Sequence, residues 1–288
     1  MSEPRPIPLP GEYRPRIREV NPEPLSEFRQ VDFEGGQRGH IKLRAEVRAV
    51  QAERTPNTFV HVNIDGSAVA ASSNGTMTHD DRRTRGHFLE RVDVRIALGH
   101  EAFTLYQDNP HTTSGSSSTS SSTSMGIDLS TGFFGPTGTG NASFSYSIGT
   151  SFSRALNDFR VSNISGDRKL HHDYLLESAG GLYNNYRDLW PGGTATDIES
   201  FFLGDLSTIE LRNPPHLSIS NLPLISQAIF VGPKVNEDIE LEVALVARFV
   251  KVSVHRPTFG IPPYEVKEDA VEVPVTAHIK ISLSEMQW

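Results

Sequence analysis

The sequence predicts an all-β fold, and three observations carry that prediction. Apolar residues recur at every second position in several separate stretches, which is the period of a strand with one buried face. The three-to-four spacing of an amphipathic helix is weak along the whole chain. The alternating stretches end in clusters of Gly, Asn, Asp and Pro, residues that favour turns. A series of half-buried strands of this kind builds a β-sandwich. With 288 residues, 36% hydrophobic and 22% charged, the chain is long enough for one large β domain or two smaller ones.

Residues 1–36 carry Pro4, Pro6, Pro8, Pro10, Pro15, Pro22 and Pro24 and close at Gly35-Gly36. They predict an extended arm that is neither a helix nor a central strand. It reads either as a disordered tail or as a latch that covers an edge or clasps a neighbouring subunit. From Ile41, strands begin: Ile41, Leu43, Ala45 and Val47 alternate with Lys42, Arg44, Glu46 and Arg48. Further strands are expected at Thr58 to Ile64, ended by Asp65-Gly66, and at Ser67 to Ala71, ended by Ser73-Asn74-Gly75. Asp80, Asp81, Arg82, Arg83 and Arg85 read as a solvated charged bend. Val92, Val94, Ile96 and Leu98 form the next strand, and Ala102 to Tyr106 another.

Near the C-terminus, Ile239, Leu241, Val243, Leu245, Ala247 and Phe249 alternate with polar residues, and Val250, Val252 and Val254 continue on the opposite parity. That switch predicts a bulge or bend near Arg248 to Lys251. Val271 to Leu283 gives a second long strand. Residues 37–107 and 236–288 are thus the expected halves of one sandwich, interrupted by an insertion.

The insertion, 108–165, is the most informative part of the chain. After a Ser/Thr/Gly run from Ser114 to Ser124, Met125, Ile127, Leu129, Thr131 and Phe133 occupy one parity, against Ser124, Gly126, Asp128, Ser130 and Gly132. A turn-forming stretch, Gly135 to Asn141, follows. The alternation then resumes as Ala142, Phe144, Tyr146, Ile148, Thr150 and Phe152 against Ser143, Ser145, Ser147, Gly149, Ser151 and Ser153. Two such arms around one turn make a hairpin.

Its polar parity is almost wholly Ser and Gly, whereas a surface strand carries Lys, Glu and Arg. Each arm alternates over about ten residues, the length of a tilted transmembrane β-strand with apolar side chains outward and polar ones toward a lumen. In that arrangement Met125, Ile127, Leu129, Phe133, Phe134, Phe144, Tyr146, Ile148 and Phe152 meet lipid, with Phe133, Phe134, Tyr146 and Phe152 as interfacial aromatics. Asp128, Ser130, Ser145 and Ser147 line the pore, Asp128 as an acidic ring favouring cations. A lone hairpin would leave edge groups unpaired in hydrocarbon, so several chains must each donate one to a closed barrel. The same alternation also suits a strand pair in a β-sandwich lectin, adhesin or capsid protein, and the Ser/Thr run a plain linker.

Residues 166–235 alternate less and carry more turn signals, which reads as a loop-rich rim. Tyr183, Tyr186 and Trp190 favour the bilayer interface and Arg187 suits a lipid phosphate; alternatively, these aromatics pin a long loop to the body. Asn213-Pro214-Pro215 and Asn221-Leu222-Pro223-Leu224-Ile225 read as turns and short extended pieces.

The net charge of −8 and the lack of a basic stripe with interleaved aromatics argue against nucleic acid as a partner. With no cysteine there is no disulfide, thiolate ligand or thiol nucleophile. No apolar run is long enough for a transmembrane helix, and Met1 to Val20 is proline-rich and charged, without the apolar core of a signal peptide. No nucleophile elbow, phosphate-cradling loop or zinc motif is present, and no cofactor is expected. His171-His172-Asp173 reads as a solvated polar turn, since adjacent strand residues point to opposite faces and cannot share a metal. Asn163-Ile164-Ser165 matches the glycosylation acceptor pattern, which Ser-rich chains meet by chance.

In the order of its parts the chain resembles the staphylococcal haemolysin and leukocidin family of β-barrel pore-forming toxins over roughly Ile41 to His255. The matching pieces are the Gly/Ser-rich hairpin, Phe159-Arg160-Val161, Tyr186-Arg187-Asp188 with Trp190-Pro191, and Leu222-Pro223-Leu224-Ile225 with Phe230 and Pro233. The resemblance implies a β-sandwich cap, an inserted stem hairpin and a rim in a secreted protein. Its partners would be a target-membrane lipid or receptor and further copies of itself or a second component. Of the rim residues, Tyr186, Arg187 and Trp190 carry over as membrane contacts. An aerolysin-like toxin with a Ser/Thr-rich insertion hairpin, and a non-lytic β-sandwich lectin or structural protein, are the alternative readings.

Overall fold

A computed structural model describes residues 16–33, 38–53, 55–71, 77–78, 82–110, 120–128, 145–153, 159–178, 181–182, 221–255 and 265–286. In chain order the strands are β1 (Ile17–Val20), β2 (Leu25–Asp32), β3 (Arg38–Ala52), β4 (Asn57–Asn63), β5 (Ser67–Ala71), β6 (Met77–Thr78), β7 (Arg82–Leu98), β8 (Thr104–Asn109), β9 (Ser120–Asp128), β10 (Ser145–Ser153), β11 (Phe159–Asn163), β12 (Lys169–Ser178), β13 (Gly181–Leu182), β14 (Asn221–Leu224), β15 (Gln227–Pro233), β16 (Ile239–His255) and β17 (Glu265–Ile281). The only helical piece among the described residues is a 3-10 turn, Leu283–Met286. The fold is all-β, as its alternation predicts.

The first sheet has eight strands in the order β14-β5-β3-β4-β15-β8, with β1 and β2 also on β3. Its spine is β3, which is fifteen residues long. Ile41, Leu43, Ala45 and Val47 are buried, while Lys42, Arg44, Glu46 and Arg48 face solvent, because a period of two puts each set on one face. Partners lie on both sides of most of this strand: β2 and β5 along its first half, β1 and β4 along its second. The prolines stop before Ile17 or sit at Pro22 and Pro24 between β1 and β2, so the arm pairs as two short strands against its own chain.

The second sheet has seven strands, in the order β11-β12-β7-β16-β17 with β13 and β6 at its margins. Strands β16 and β17 pair without a slip from Ile239–Ile281 to His255–Glu265. The expected irregularity near Arg248 to Lys251 exists, but the extra residues lie in the neighbour. Arg248 faces Arg91 and Phe249 faces Leu89; Lys251 faces His87 and Val252 faces Arg85. Glu90 and Gly86 of β7 are therefore the bulged residues.

The inner faces of the two sheets meet in one core that includes Ile41, Leu43, Val92, Ile96, Leu241 and Ile279. Each such side chain contributes on the order of 1.5–3 kcal/mol when fully buried. At one side the sheets are tied by Arg29 Nη1, which donates to the Pro274 carbonyl at 2.6 Å between β2 and β17. Pro274 lacks an N–H, which suits the outermost strand of the sheet. Under the outer face of the first sheet, burial and, second to it, the charge of Arg48 lower the pKa of His61 to about 4. The imidazole is therefore neutral at pH 7.

Two sequence expectations are corrected. Arg82, Arg83 and Arg85 are not a bend but the start of β7, where pairing with β16 carries them. His171, His172 and Asp173 lie in the middle of β12 and not in a turn, flanked by β7 and β11. In each case a long-range partner overrides a polar local sequence. Asn221–Leu224, expected among the turns and short extended pieces, is a short strand on β5.

Gly232 in β15 permits the closest approach in the core. A Cβ there would sit 2.6 to 2.8 Å from the Phe103 ring, a side chain only 1% exposed. Gly232→Ala should therefore cost about 1–3 kcal/mol of unfolding free energy in urea, and adding Phe103→Leu should recover part of it; an unchanged urea midpoint in the single variant would contradict this packing.

Candidate functional site

In the inserted segment β9 and β10 form a two-stranded sheet and, among the described residues, pair only with each other. Their register sets Met125 opposite Ile148, Ile127 opposite Tyr146 and Ser121 opposite Phe152. On the alternate positions Gly126 faces Ser147, Asp128 faces Ser145 and Ser124 faces Gly149. Cross-strand partners share a face, so the apolar parities of both arms coincide and so do the Ser/Gly parities. A slip of one residue would have mixed them. Strand β9 begins at Ser120, so half of the Ser/Thr run is paired strand and not linker.

Leu129, Ser130, Phe133, Phe134 and Phe144 lie outside the described residues, as do the turn from Gly135 to Asn141 and the rim residues Tyr183, Tyr186, Arg187 and Trp190. From within 166–235, strands β12, β14 and β15 belong to the two body sheets.

The ends of the hairpin segment are joined by polar groups for which the sequence suggests no such role. Strand β8, which precedes it, is at the end of the first sheet, and β11, which follows it, is at the end of the second. Asn163 Nδ2 donates to Asp108 Oδ2 at 2.8 Å. Lower on the same seam, the Leu105 N–H donates to the Asp167 carbonyl at 2.7 Å. His172 is fully buried, with Nε2 3.8 Å from Asp108 Oδ2 and Nδ1 2.9 Å from Ser226 Oγ. Tyr174 OH donates to the Ile225 carbonyl at 2.9 Å and lies 3.0 Å from Ser226 Oγ. Ser165 orients the Asn163 amide by donating its backbone N–H to Oδ1 at 3.0 Å.

The charges follow from these contacts. Burial alone would raise the pKa of Asp108, but the His172 imidazole 3.8 Å away and hydrogen bonds from Asn163 and Ser165 together hold it at about 2. Burial pushes the Tyr174 phenol up to about 12, against the opposing hydrogen bonds to Ser226 and Ile225. On the outer face of β12, Asp173 lies directly opposite Asp93 of β7. Burial first, and Asp93 second, raise its pKa, while Arg91 and His171 oppose the rise.

Asp108, His172 and Ser226 are a carboxylate, an imidazole and a hydroxyl in sequence, the residue types of a hydrolytic triad. Ser226 and His172 are both 0% exposed, and Ser226 Oγ is shared with Tyr174, so no substrate reaches the hydroxyl. Among the described residues, no group of three His, Cys, Asp or Glu is placed to hold a metal ion. No described helix is long and apolar enough to cross a membrane, which says nothing of crossing by strands.

Solved structures match this chain over nearly its whole length, three of them as follows. NetB toxin of Clostridium perfringens in its membrane inserted form has a TM-score of 0.52 at 10% identity, covering 93% of this chain and 98% of that one. Clostridium perfringens delta-toxin has a TM-score of 0.54 at 11% identity, covering 93% and 91%. A structure described as a pore forming protein scores 0.52 at 10% identity, covering 94% and 97%. This chain shares their fold. No protein-family model and no curated protein matches the sequence. At such identity the likeness concerns backbone architecture, and the resemblance drawn from the order of motifs agrees with it at that level.

Because the Asp108 pKa is depressed in the folded state, its stabilising effect is complete above the ordinary carboxylate value of 3.8 and is lost as pH falls through about 2. Discounted for the part of the carboxylate that faces water, the loss is about 1–2 kcal/mol. Denaturant titrations across that window should show it in the parent protein and not in Asp108→Asn; parallel pH profiles for the two would contradict the assignment.

Proposed function

We propose that this chain is a pore-forming cytolysin. A secreted monomer binds a target membrane, associates with further copies or a second component, and inserts one hairpin per protomer into a shared β-barrel. The observation that carries this reading is the register of β9 on β10. It gathers Met125, Ile127, Tyr146, Ile148 and Phe152 on one face and Gly126, Asp128, Ser145 and Ser147 on the other, the division between lipid and lumen that a barrel wall requires. Among the described residues the two strands pair only with each other, and copies of the same hairpin are suited to cover the remaining edges.

The fold likeness supports the same reading, since the matched structures include a toxin in its membrane inserted form and a pore forming protein. Leu129, Phe133, Phe134 and Phe144 extend the lipid face and Ser130 the lumen. Tyr183, Tyr186, Arg187 and Trp190 supply the first contact with lipid or receptor. Transfer of apolar side chains to lipid drives insertion, each contributing on the order of 1.5–3 kcal/mol when fully buried and less at an interface.

Release of calcein from phosphatidylcholine–cholesterol vesicles, with haemoglobin release from erythrocytes in parallel, tests the function. The parent protein should release both, whereas a lectin or structural protein releases neither. Ile148→Pro removes a ladder donor from the middle of β10 and should abolish release while sedimentation with membranes stays normal; lysis at the parental rate would count against the hairpin. In planar bilayers the pore should prefer cations mildly, and Asp128→Asn should weaken that preference. Anion preference indifferent to the substitution would remove Asp128 from the lumen.

A further inference from the structure

On the outer face of the first sheet, the registers of β2, β3, β5 and β14 line up two rows of side chains. One row is Phe28, Lys42, Ala68 and Pro223, and the next is Gln30, His40, Ala70 and Asn221. The alternate positions Ile41, Val69 and Leu222 are fully buried in the core, so these rows face away from it. Phe28 is 63% exposed, the most of any large hydrophobic residue described. Its ring is nevertheless held in place: it stacks on the His40 imidazole with centroids 5.6 Å apart and planes 25° from parallel. One face of the ring is thereby engaged and the other is open to solvent.

Size and chemistry narrow the occupant. Four strands at the usual spacing span about 14 Å, and the two rows lie about 7 Å apart along the strands. Protein and membrane contacts draw on apolar patches of roughly several hundred Å², far more than these rows offer. Around the single aromatic ring stand the exposed Lys42 ammonium, the Gln30 and Asn221 amides and the half-buried His40 ring. Gln30 Nε2 donates to Asp32 Oδ1 at 2.9 Å, which turns the amide and leaves Oε1 to accept. An aromatic face is electron-rich and attracts the weakly positive C–H groups on the flat side of a pyranose. Amide, imidazole and ammonium groups suit the hydroxyls at its rim.

We propose that this face binds a pyranose sugar of a cell-surface glycan, with Phe28 as the stacking platform and Gln30, His40, Lys42 and Asn221 as polar partners. The site stands without the pore-forming reading; under that reading it is a receptor contact separate from Tyr183, Tyr186, Arg187 and Trp190.

Saturation-transfer difference NMR with irradiation of the aromatic protons tests this on the full chain without membranes. The probes are lactose, mannotriose and 3′-sialyllactose, each in millimolar excess. At least one should receive transfer concentrated on one side of a pyranose ring. Phe28→Ala should weaken its binding about tenfold or more, and Phe28→Trp should retain it. The urea midpoint of Phe28→Ala should match that of the parent, because the ring is exposed. If Phe28→Ala fails to fold, Asn221→Ala decides by the same loss. Transfer to none of the three sugars, or transfer undiminished in the variant, would overturn the proposal. Weaker sedimentation of Phe28→Ala with phosphatidylcholine–cholesterol vesicles, with no transfer to any sugar, would assign the patch to lipid and overturn it as well. Sugar binding by a protein that releases no calcein would uphold this site and remove the pore reading instead.

Discussion

Backbone pairing at strand edges is the constraint on which this architecture depends. A strand edge is a row of donors and acceptors that must find partners or water. In the body those edges are managed within one chain. The arm strands β1 and β2 occupy one side of β3, Arg29 caps the Pro274 carbonyl of β17, and the β8–β11 seam is joined by backbone and side-chain bonds. The two-stranded β9–β10 sheet is the exception, with no third strand among the described residues. The same physics that closes the body makes the hairpin a natural candidate for pairing with copies of itself.

Placing the insertion between β8 and β11 has a further consequence. The segment belongs to neither sheet, so its displacement need not unpair a strand of the sandwich or disturb the core that spans Ile41 to Ile279. The polar network of Asp108, Asn163, His172, Ser226 and Tyr174 sits on the boundary between body and hairpin. Its members are paired with one another except at the long His172–Asp108 approach, and His172 and Ser226 are fully buried.

Much of this was legible from alternation. The strand at Ser67–Ala71, the two long C-terminal strands and both hairpin arms follow directly from apolar residues at every second position. Legibility failed where a long-range partner mattered more than local composition. Arg82 to Arg85 look like a solvated bend, yet β16 draws them into a strand. The parity switch near Phe249 was visible in the sequence, but its cause, the extra residues Glu90 and Gly86, lies in the paired strand. Asp108 and Asn163 carried no usable signal: one stands in a polar run, Gln107-Asp108-Asn109, and the other reads as a glycosylation acceptor, and only the seam makes them partners.

By itself the sequence determined the all-β class and the positions of most strands, because side-chain alternation is a local property of extended backbone. Tertiary structure alone decided which edges meet, why His172 is buried while His171 and Asp173 lie on the opposite face, and where the hairpin is anchored. Those outcomes depend on contacts between residues far apart in the chain, such as Asp108 with Asn163 and Arg29 with Pro274, and no short-range pattern encodes which distant strand will arrive.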